Sequence, residues 1–304
     1  MNENQEIIDK ILKLKNQRNA LILAHNYQIA EVQEIADFMG DSLDLSRQAA
    51  VTDSEVIVFC GVHFMAETAK ILAYHKTVLM PDRNAGCAMA NMITPRQMVD
   101  LKKKYPDHTY VCYVNCTAET KAECDYCCTS ANATKVVQAI PKEEKIVFIP
   151  DKYLGSYVMS QTKREMVLWE GFCPTHRRIL AENILKEKAQ HPKAEVLVHP
   201  ECIPDVIAMA DHVLSTSGIC RRAQESDAQE FIIGTEIGIL ARLERENPDK
   251  KFYPASELAE CENMKLTTLE KILWSLEDMA YDVQVPEDIA KRAKKSIDRM
   301  VEII

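Results

Sequence analysis

Apolar residues in this chain come in short bursts that stop at polar clusters. ALILAHNYQ (20–28), YVCYVNC (110–116) and EVLVHPE (195–201) each run from aliphatic and β-branched residues into His, Asn, Gln or Glu. They lack the polar alternation of half-exposed strands and predict strands buried on both faces. A second apolar strand follows each burst, at EVIVFCG (55–61), KIVFIP (145–150) and EFIIG (230–234). Behind each lie a helix-length segment (62–73, 153–161, 236–246) and a short strand (76–80, 166–169, 251–254). Strands alternating with helices in this way predict parallel sheets packed under helices. The 3.6-residue pattern adds helical stretches through Ile179, Ile184 and Leu185, at 5–17, at 266–280 and, after Pro286, at 287–303.

The pattern occurs three times. The first polar residues of the bursts, His25, Tyr113 and His199, are separated by 88 and 86 residues. Seventeen positions further on stand Ser42, Ser130 and Thr216, again 88 and 86 apart. Cys87, Cys173 and Cys261 close the units at separations of 86 and 88. Three chemistry-bearing positions recurring at one spacing predict an internal repeat. The expected fold is therefore α/β: three pseudo-threefold-related, three-layer αβα units with parallel sheets and an active site at their junction. Their expected bounds are 18–90, 91–176 and 177–262. The helix at 5–17 and the helices of 263–304 are expected to pack on the first unit as a cap. No Pro-, Gly- or Ser-rich linker separates the units, so they should pack tightly, each burying too little surface to be comfortable alone.

Composition narrows the functional classes. The 304 residues hold 37 basic against 46 acidic side chains, a net charge of −9, which argues against nucleic acid or an acidic membrane as partner. No apolar run matches a bilayer, and the start reads as a polar amphipathic helix, so a cytoplasmic enzyme is expected. Eleven cysteines then read as reduced thiols, either small core residues or soft metal ligands.

The repeat decides which residues to watch. His25, Tyr113 and His199 fall at strand carboxyl ends, where open α/β sheets bind ligands. Ser42, Ser130 and Thr216 each precede a helix. Any one of them reads as an N-cap, but three together make a pocket suited to carboxylate or phosphate. No Walker loop or GxGxxG accompanies them. If the threefold holds, Cys87, Cys173 and Cys261 converge, and three thiolates suit an iron–sulfur cluster or zinc. Cys124 and Cys127 in CDYCC form a rival pair. Cys60, Cys112 and Cys220 read as core, and Cys116, Cys128 and Cys202 as packing. His63, His75, His108, His191 and His212 lie outside the three sets and read as structural or surface.

The motifs HNYQ (25–28), GDSLDLS (40–46), PDRNAGCAMA (81–90), YVNCTAETKAECDYCCTSANA (113–133), GFCPTH (171–176), HPEC (199–202), STSGI (215–219) and CENMKLTTLEK (261–271) resemble the quinolinate synthase family over essentially the whole chain. The resemblance implies condensation of iminoaspartate with dihydroxyacetone phosphate to quinolinate for NAD biosynthesis, with release of phosphate and water. It implies a [4Fe-4S] cluster on Cys87, Cys173 and Cys261 whose open iron is a Lewis acid. It places substrate binding on His25, Ser42, Tyr113, Asn115, Ser130, His199, Glu201 and Thr216, with His176 lining the same pocket. A transient partner enzyme supplying iminoaspartate is a further expectation. Glu201 and Tyr27 are the acid/base candidates, assisted by Tyr113 and His199; against this, Glu201 also reads as a surface glutamate and Tyr27 as a packing residue. Some family members carry the last cysteine in C-x-x-C-x-x-C; Cys261 has no such neighbours, so no regulatory disulfide is expected there. An iron–sulfur hydro-lyase for a small carboxylic acid and a non-enzymatic iron–sulfur sensor or store remain the competing classes.

Overall fold

The computed structural model of the chain describes residues 3–303. Its twelve strands are β1 Ala20–His25, β2 Phe38–Gly40, β3 Val56–Cys60, β4 Thr77–Leu79, β5 His108–Tyr113, β6 Tyr126–Cys128, β7 Lys145–Ile149, β8 Met166–Leu168, β9 Glu195–Val198, β10 His212–Val213, β11 Glu230–Gly234 and β12 Lys251–Pro254. They form three four-stranded, all-parallel sheets in the orders β2-β1-β3-β4, β6-β5-β7-β8 and β10-β9-β11-β12. The expected α/β architecture of three like units is thus present. Even the register repeats: Ala24 pairs with Cys60, Cys112 with Ile149, and Val198 with Gly234.

The two central strands of each sheet are almost wholly apolar and buried, as in Val56–Cys60. The edge strands β2, β6 and β10, only two or three residues long, were not foreseen. A repeated aspartate sets each of them in place. Asp37, Asp125 and Asp211 each accept a backbone N–H of the neighbouring central strand, from Ile22, Tyr110 and Val196, all at 2.8 Å.

Helices Glu3–Gln17 and Leu269–Asp278 pack on one another and cover one face of the first sheet, with Ile11, Ile272 and Leu276 against Ile22, Val56 and Val58. Helix Glu287–Glu302 does not join them. Its apolar stripe, Ala290, Ala293, Ile297 and Met300, is buried between the first and second units, against helices His63–Leu72 and Ala118–Lys121 and β6. Its last carbonyls are held by Asn132 from the second unit and Arg47 from the first. Ile304, the end of the expected cap, lies outside the described residues. No helix among the described residues is long and apolar enough to cross a membrane.

With the order 2-1-3-4, each sheet has its switch point between its two central strands, where their carboxyl ends open a crevice. His25 ends β1 and Tyr113 ends β5, while His199 directly follows β9. The three crevices face one another.

Candidate functional site

One cavity of about 210 Å³ lies at this junction, and all thirteen residues singled out from the sequence line it. The first unit contributes His25, Tyr27, Ser42 and Cys87, and the second Tyr113, Asn115, Ser130, Cys173 and His176. His199, Glu201, Thr216 and Cys261 come from the third. Residues two past each strand-end landmark, Tyr27, Asn115 and Glu201, form a further equivalent set.

The histidines have defined tautomers. The backbone N–H of Tyr27 donates to His25 Nδ1 at 3.2 Å, and that of Glu201 to His199 Nδ1 at 3.4 Å. Each Nδ1 is therefore an acceptor, which leaves the proton on Nε2. Burial pulls both imidazoles down to about 3, against the opposing charge of Glu201. They are neutral Nε2–H donors.

Glu201 is 3% exposed. Burial pushes its carboxyl up, but His176 beside it, together with hydrogen bonds from His176 and Tyr113, outweighs this and holds it below its ordinary value. Its Oε2 lies 2.6 Å from His176 Nδ1. On the other side of that ring, Nε2 lies 2.8 Å from Thr235 Oγ1, which is 2.5 Å from the Tyr27 hydroxyl. Nδ1 also contacts Cys173 Sγ at 3.2 Å; with its proton facing Glu201, Nε2 accepts from Thr235, and Thr235 accepts from Tyr27. Burial and then the charge of Glu201 push the phenols of Tyr27 and Tyr113 well above their ordinary value, so both remain protonated.

Two of the three hydroxyls expected before helices, Ser42 and Thr216, are the first residues of theirs, while Ser130 lies in the turn before helix Ala133–Ala139. Asp41, not Ser42, caps helix Ser42–Val51, accepting from the N–H groups of Leu43 and Asp44. Ser215, not Thr216, caps helix Thr216–Glu225. In the second unit Asn132 precedes helix Ala133–Ala139, and Thr129 accepts from Ala131. Relieved of capping, Ser42, Ser130 and Thr216 line the cavity instead, the first and last on helix N-terminal turns that favour anions.

Of the eleven cysteines, only Cys87, Cys173 and Cys261 are half-buried; the other eight are buried. Each precedes a single helical turn, Ala90–Met92, Pro174–Arg177 and Glu262–Lys265. Burial raises their thiols, Cys87 to about 12, while backbone N–H groups of the following turn pull the other way. A thiolate at Cys261 would raise Cys87 further, and one at Cys87 would raise Cys173. The loop of Cys261 is anchored by buried Glu236, which accepts the Cys261 N–H at 3.0 Å and pairs with Lys265 at 2.8 Å. Lys265 also donates to the Tyr27 carbonyl at 2.6 Å. Gly238 is required here, because a Cβ would lie 2.4 Å from Lys265 Nζ and 2.6 Å from the Tyr27 carbonyl oxygen.

Among the described residues, Cys173, His176 and Glu201 are the one group whose three ligand atoms all lie within 4.8 Å of one another, and they could hold a metal ion. The rival pair lies elsewhere. Cys127 touches Cys112 and Ser296 at 3.3 Å, and Cys124 donates to the Thr120 carbonyl, in the core behind the last helix. His63, His75, His108, His191 and His212 do not line the cavity. Asp41, Thr235 and Glu236 belong to the site and were not singled out from the sequence. Thr235 stands where the other units have Gly61 and Pro150, so the repeat carried no signal for it.

Fold and site together describe an α/β protein of three like units whose strand ends meet at one polar, cysteine-bearing cavity. The model of the family described as quinolinate synthetase A protein matches residues 9–302. Quinolinate synthase of Dehalococcoides mccartyi strain 195 is 54% identical over 98% of both chains. That of Thermodesulfovibrio yellowstonii is 54% identical over 98% of both, and quinolinate synthase 2 of Methanosarcina acetivorans 52% identical over 99% of this chain and 97% of its own. The chain belongs to the quinolinate synthetase A family, enzymes of NAD biosynthesis.

Proposed function

We propose that the enzyme condenses iminoaspartate with dihydroxyacetone phosphate to quinolinate, releasing phosphate and water, with a [4Fe-4S] cluster held by Cys87, Cys173 and Cys261. The observation that carries this reading is the single cavity lined by repeat-related residues of all three units. The donor set fits a cluster better than one zinc ion. Thiolates about 2.3 Å from a shared tetrahedral ion lie roughly 3.8 Å apart, whereas the three cysteines do not form a group within 4.8 Å. A cluster with three cysteine ligands supplies one iron free of protein as a Lewis acid toward substrate oxygens.

The chain's own residues supply binding and proton transfer. The two carboxylates of iminoaspartate meet the Nε2–H donors of His25 and His199 and the hydroxyls of Ser42, Ser130 and Thr216, on helix N-terminal turns at Ser42 and Thr216. Asn115 Oδ1, buried without a protein partner, is an acceptor for the substrate nitrogen. Ring closure and dehydration each move protons, and the chain Glu201–His176–Thr235–Tyr27 supports both directions. Glu201, anionic, removes a proton, and Tyr27, protonated, delivers one; return of the proton from Glu201 to Tyr27 through His176 and Thr235 requires the imidazole to switch tautomer and the hydrogen bonds to reverse. Tyr113 steadies the Glu201 carboxylate by donating to it. Imines hydrolyse in water, so a transient partner enzyme that makes iminoaspartate belongs to this proposal.

The test is an anaerobic assay with both substrates. Quinolinate is the expected product, and its absence overturns the reading. Turnover of a small carboxylic acid without the triose phosphate favours a hydro-lyase. Iron that stays unchanged when substrate is added favours a sensor or store.

A further inference from the structure

Thr216 reaches the cavity from the first turn of helix Thr216–Glu225, and its hydroxyl can give its proton either to a ligand or back to the protein. A chain of side chains, buried at Asn26 and Thr216 and partly exposed at Arg242, decides between them. Arg242 Nη1 donates to the side-chain oxygen of Asn26 at 2.7 Å. A guanidinium has donors only, so the amide oxygen must face it and the NH2 group must face away. That NH2 group then donates to Thr216 Oγ1 at 2.8 Å.

The neighbouring hydroxyl does not compete. Ser217 gives its proton to Asp44 Oδ2 at 2.5 Å and accepts the Asp41 N–H at 3.0 Å, which leaves it only a 3.5 Å contact with Asn26. Arg242 is itself steadied by Glu246, one turn along its helix, at 2.7 Å. Asn26 is fully buried, so water does not interrupt the chain. With Thr216 Oγ1 engaged as an acceptor, its O–H points away from Asn26 and toward the cavity.

We infer that Asn26 and Arg242 are positioning residues that fix the Thr216 hydroxyl as a donor to an anionic group of the substrate. This rests on the anion-binding role given to Thr216 above. The chain leaves the third unit at Arg242, passes through Asn26 of the first and returns to the third at Thr216. It therefore also ties the hydroxyl's direction to the docking of the two units.

Asn26→Asp tests this with almost no change of shape. The introduced carboxylate keeps Arg242 as an ion pair but has no hydrogen for Thr216, whose O–H must turn back to donate to it. With anaerobic holoenzyme, the KM for iminoaspartate and the dissociation constant of succinate, a stable four-carbon dicarboxylate, should rise about 10- to 100-fold, the worth of a hydrogen bond to a charged group. The kcat and the unfolding midpoint should change little. Thr216→Val should give the same loss, and the double variant should be no weaker than either single one. Wild-type affinity in Asn26→Asp, or losses that add, overturns the inference while leaving the functional reading intact. If Asn26→Asp does not fold, Arg242→Met frees the amide to rotate and must show part of the same loss; wild-type affinity there overturns the inference. Wild-type enzyme that neither binds succinate nor makes quinolinate removes the functional reading, and this inference with it.

Discussion

The Tyr27 hydroxyl lies 2.5 Å from Thr235 Oγ1, although the two residues are 208 positions apart and belong to different units. Thr235 also reaches His176, so it is the only link of the chain from Glu201 to Tyr27 that does not itself line the cavity. Thr235→Val keeps the shape and removes the hydroxyl. Because Tyr27 and His176 Nε2 are already 3.4 Å apart, a direct contact replaces part of the link. We expect kcat to fall about tenfold with little change in KM, against about 100-fold or more for Tyr27→Phe. Steady-state kinetics with both substrates checks this; a Thr235→Val enzyme with wild-type kcat removes Thr235 from proton transfer.

Each of Cys87→Ser, Cys173→Ser and Cys261→Ser should yield folded protein that lacks the brown colour and most of the iron of the anaerobic wild type, because a hydroxyl is a poor substitute for a soft thiolate. Cys124→Ser and Cys127→Ser should keep both, since those sulfurs lie in the core behind the last helix. Iron analysis, visible absorbance and circular dichroism read the outcome. Iron retained after Cys173→Ser but lost after Cys124→Ser would move the cluster to the rival pair.

The sequence shows the units because a buried parallel strand needs an unbroken apolar run, and the function-bearing side chains follow that run directly. His25, Tyr113 and His199 were legible for this reason. What escaped was whatever depends on a partner distant in the chain. Thr235 looks like any threonine after a strand, and Glu236 like any helix-start acid, until Lys265 and Cys261 are folded against it. The edge strands were too short to carry a pattern. The stripe of helix Glu287–Glu302 announced a buried face, and the cap expected on the first unit named only one of the two units that bury it. Ser42 and Thr216 were placed correctly beside helix starts, but the capping role belonged to the residues before them.

Glu236 has no exposed surface, and Lys265 is its cationic partner. Lys265→Met leaves the carboxylate with only two backbone N–H donors and takes the donor from the Tyr27 carbonyl. Breaking a buried pair from one side costs about 3 kcal/mol or more, so urea denaturation should show a loss of that order. Adding Glu236→Gln should recover part of it. A double variant less stable than Lys265→Met alone would contradict the pairing.

Asp41 gives a dependence on pH. Burial, and then the charge of Asp44, push its carboxyl up to about 6, against the N–H groups of Asp44 and Leu43 and the hydroxyl of Ser215. Between the ordinary value of about 3.9 and 6 the folded protein binds more proton than the unfolded one, so this group's contribution to stability falls as pH rises through that window and is level above it. Asn caps a helix as well as Asp does and does not titrate. Asp41→Asn should therefore be more stable than wild type near neutrality, by about 1–3 kcal/mol, with the gain shrinking toward about pH 4. Paired urea titrations across that range measure the difference directly. A gain that grows toward acid would mean that the folded state favours the ionised carboxylate, with the N–H groups of the helix start outweighing its burial.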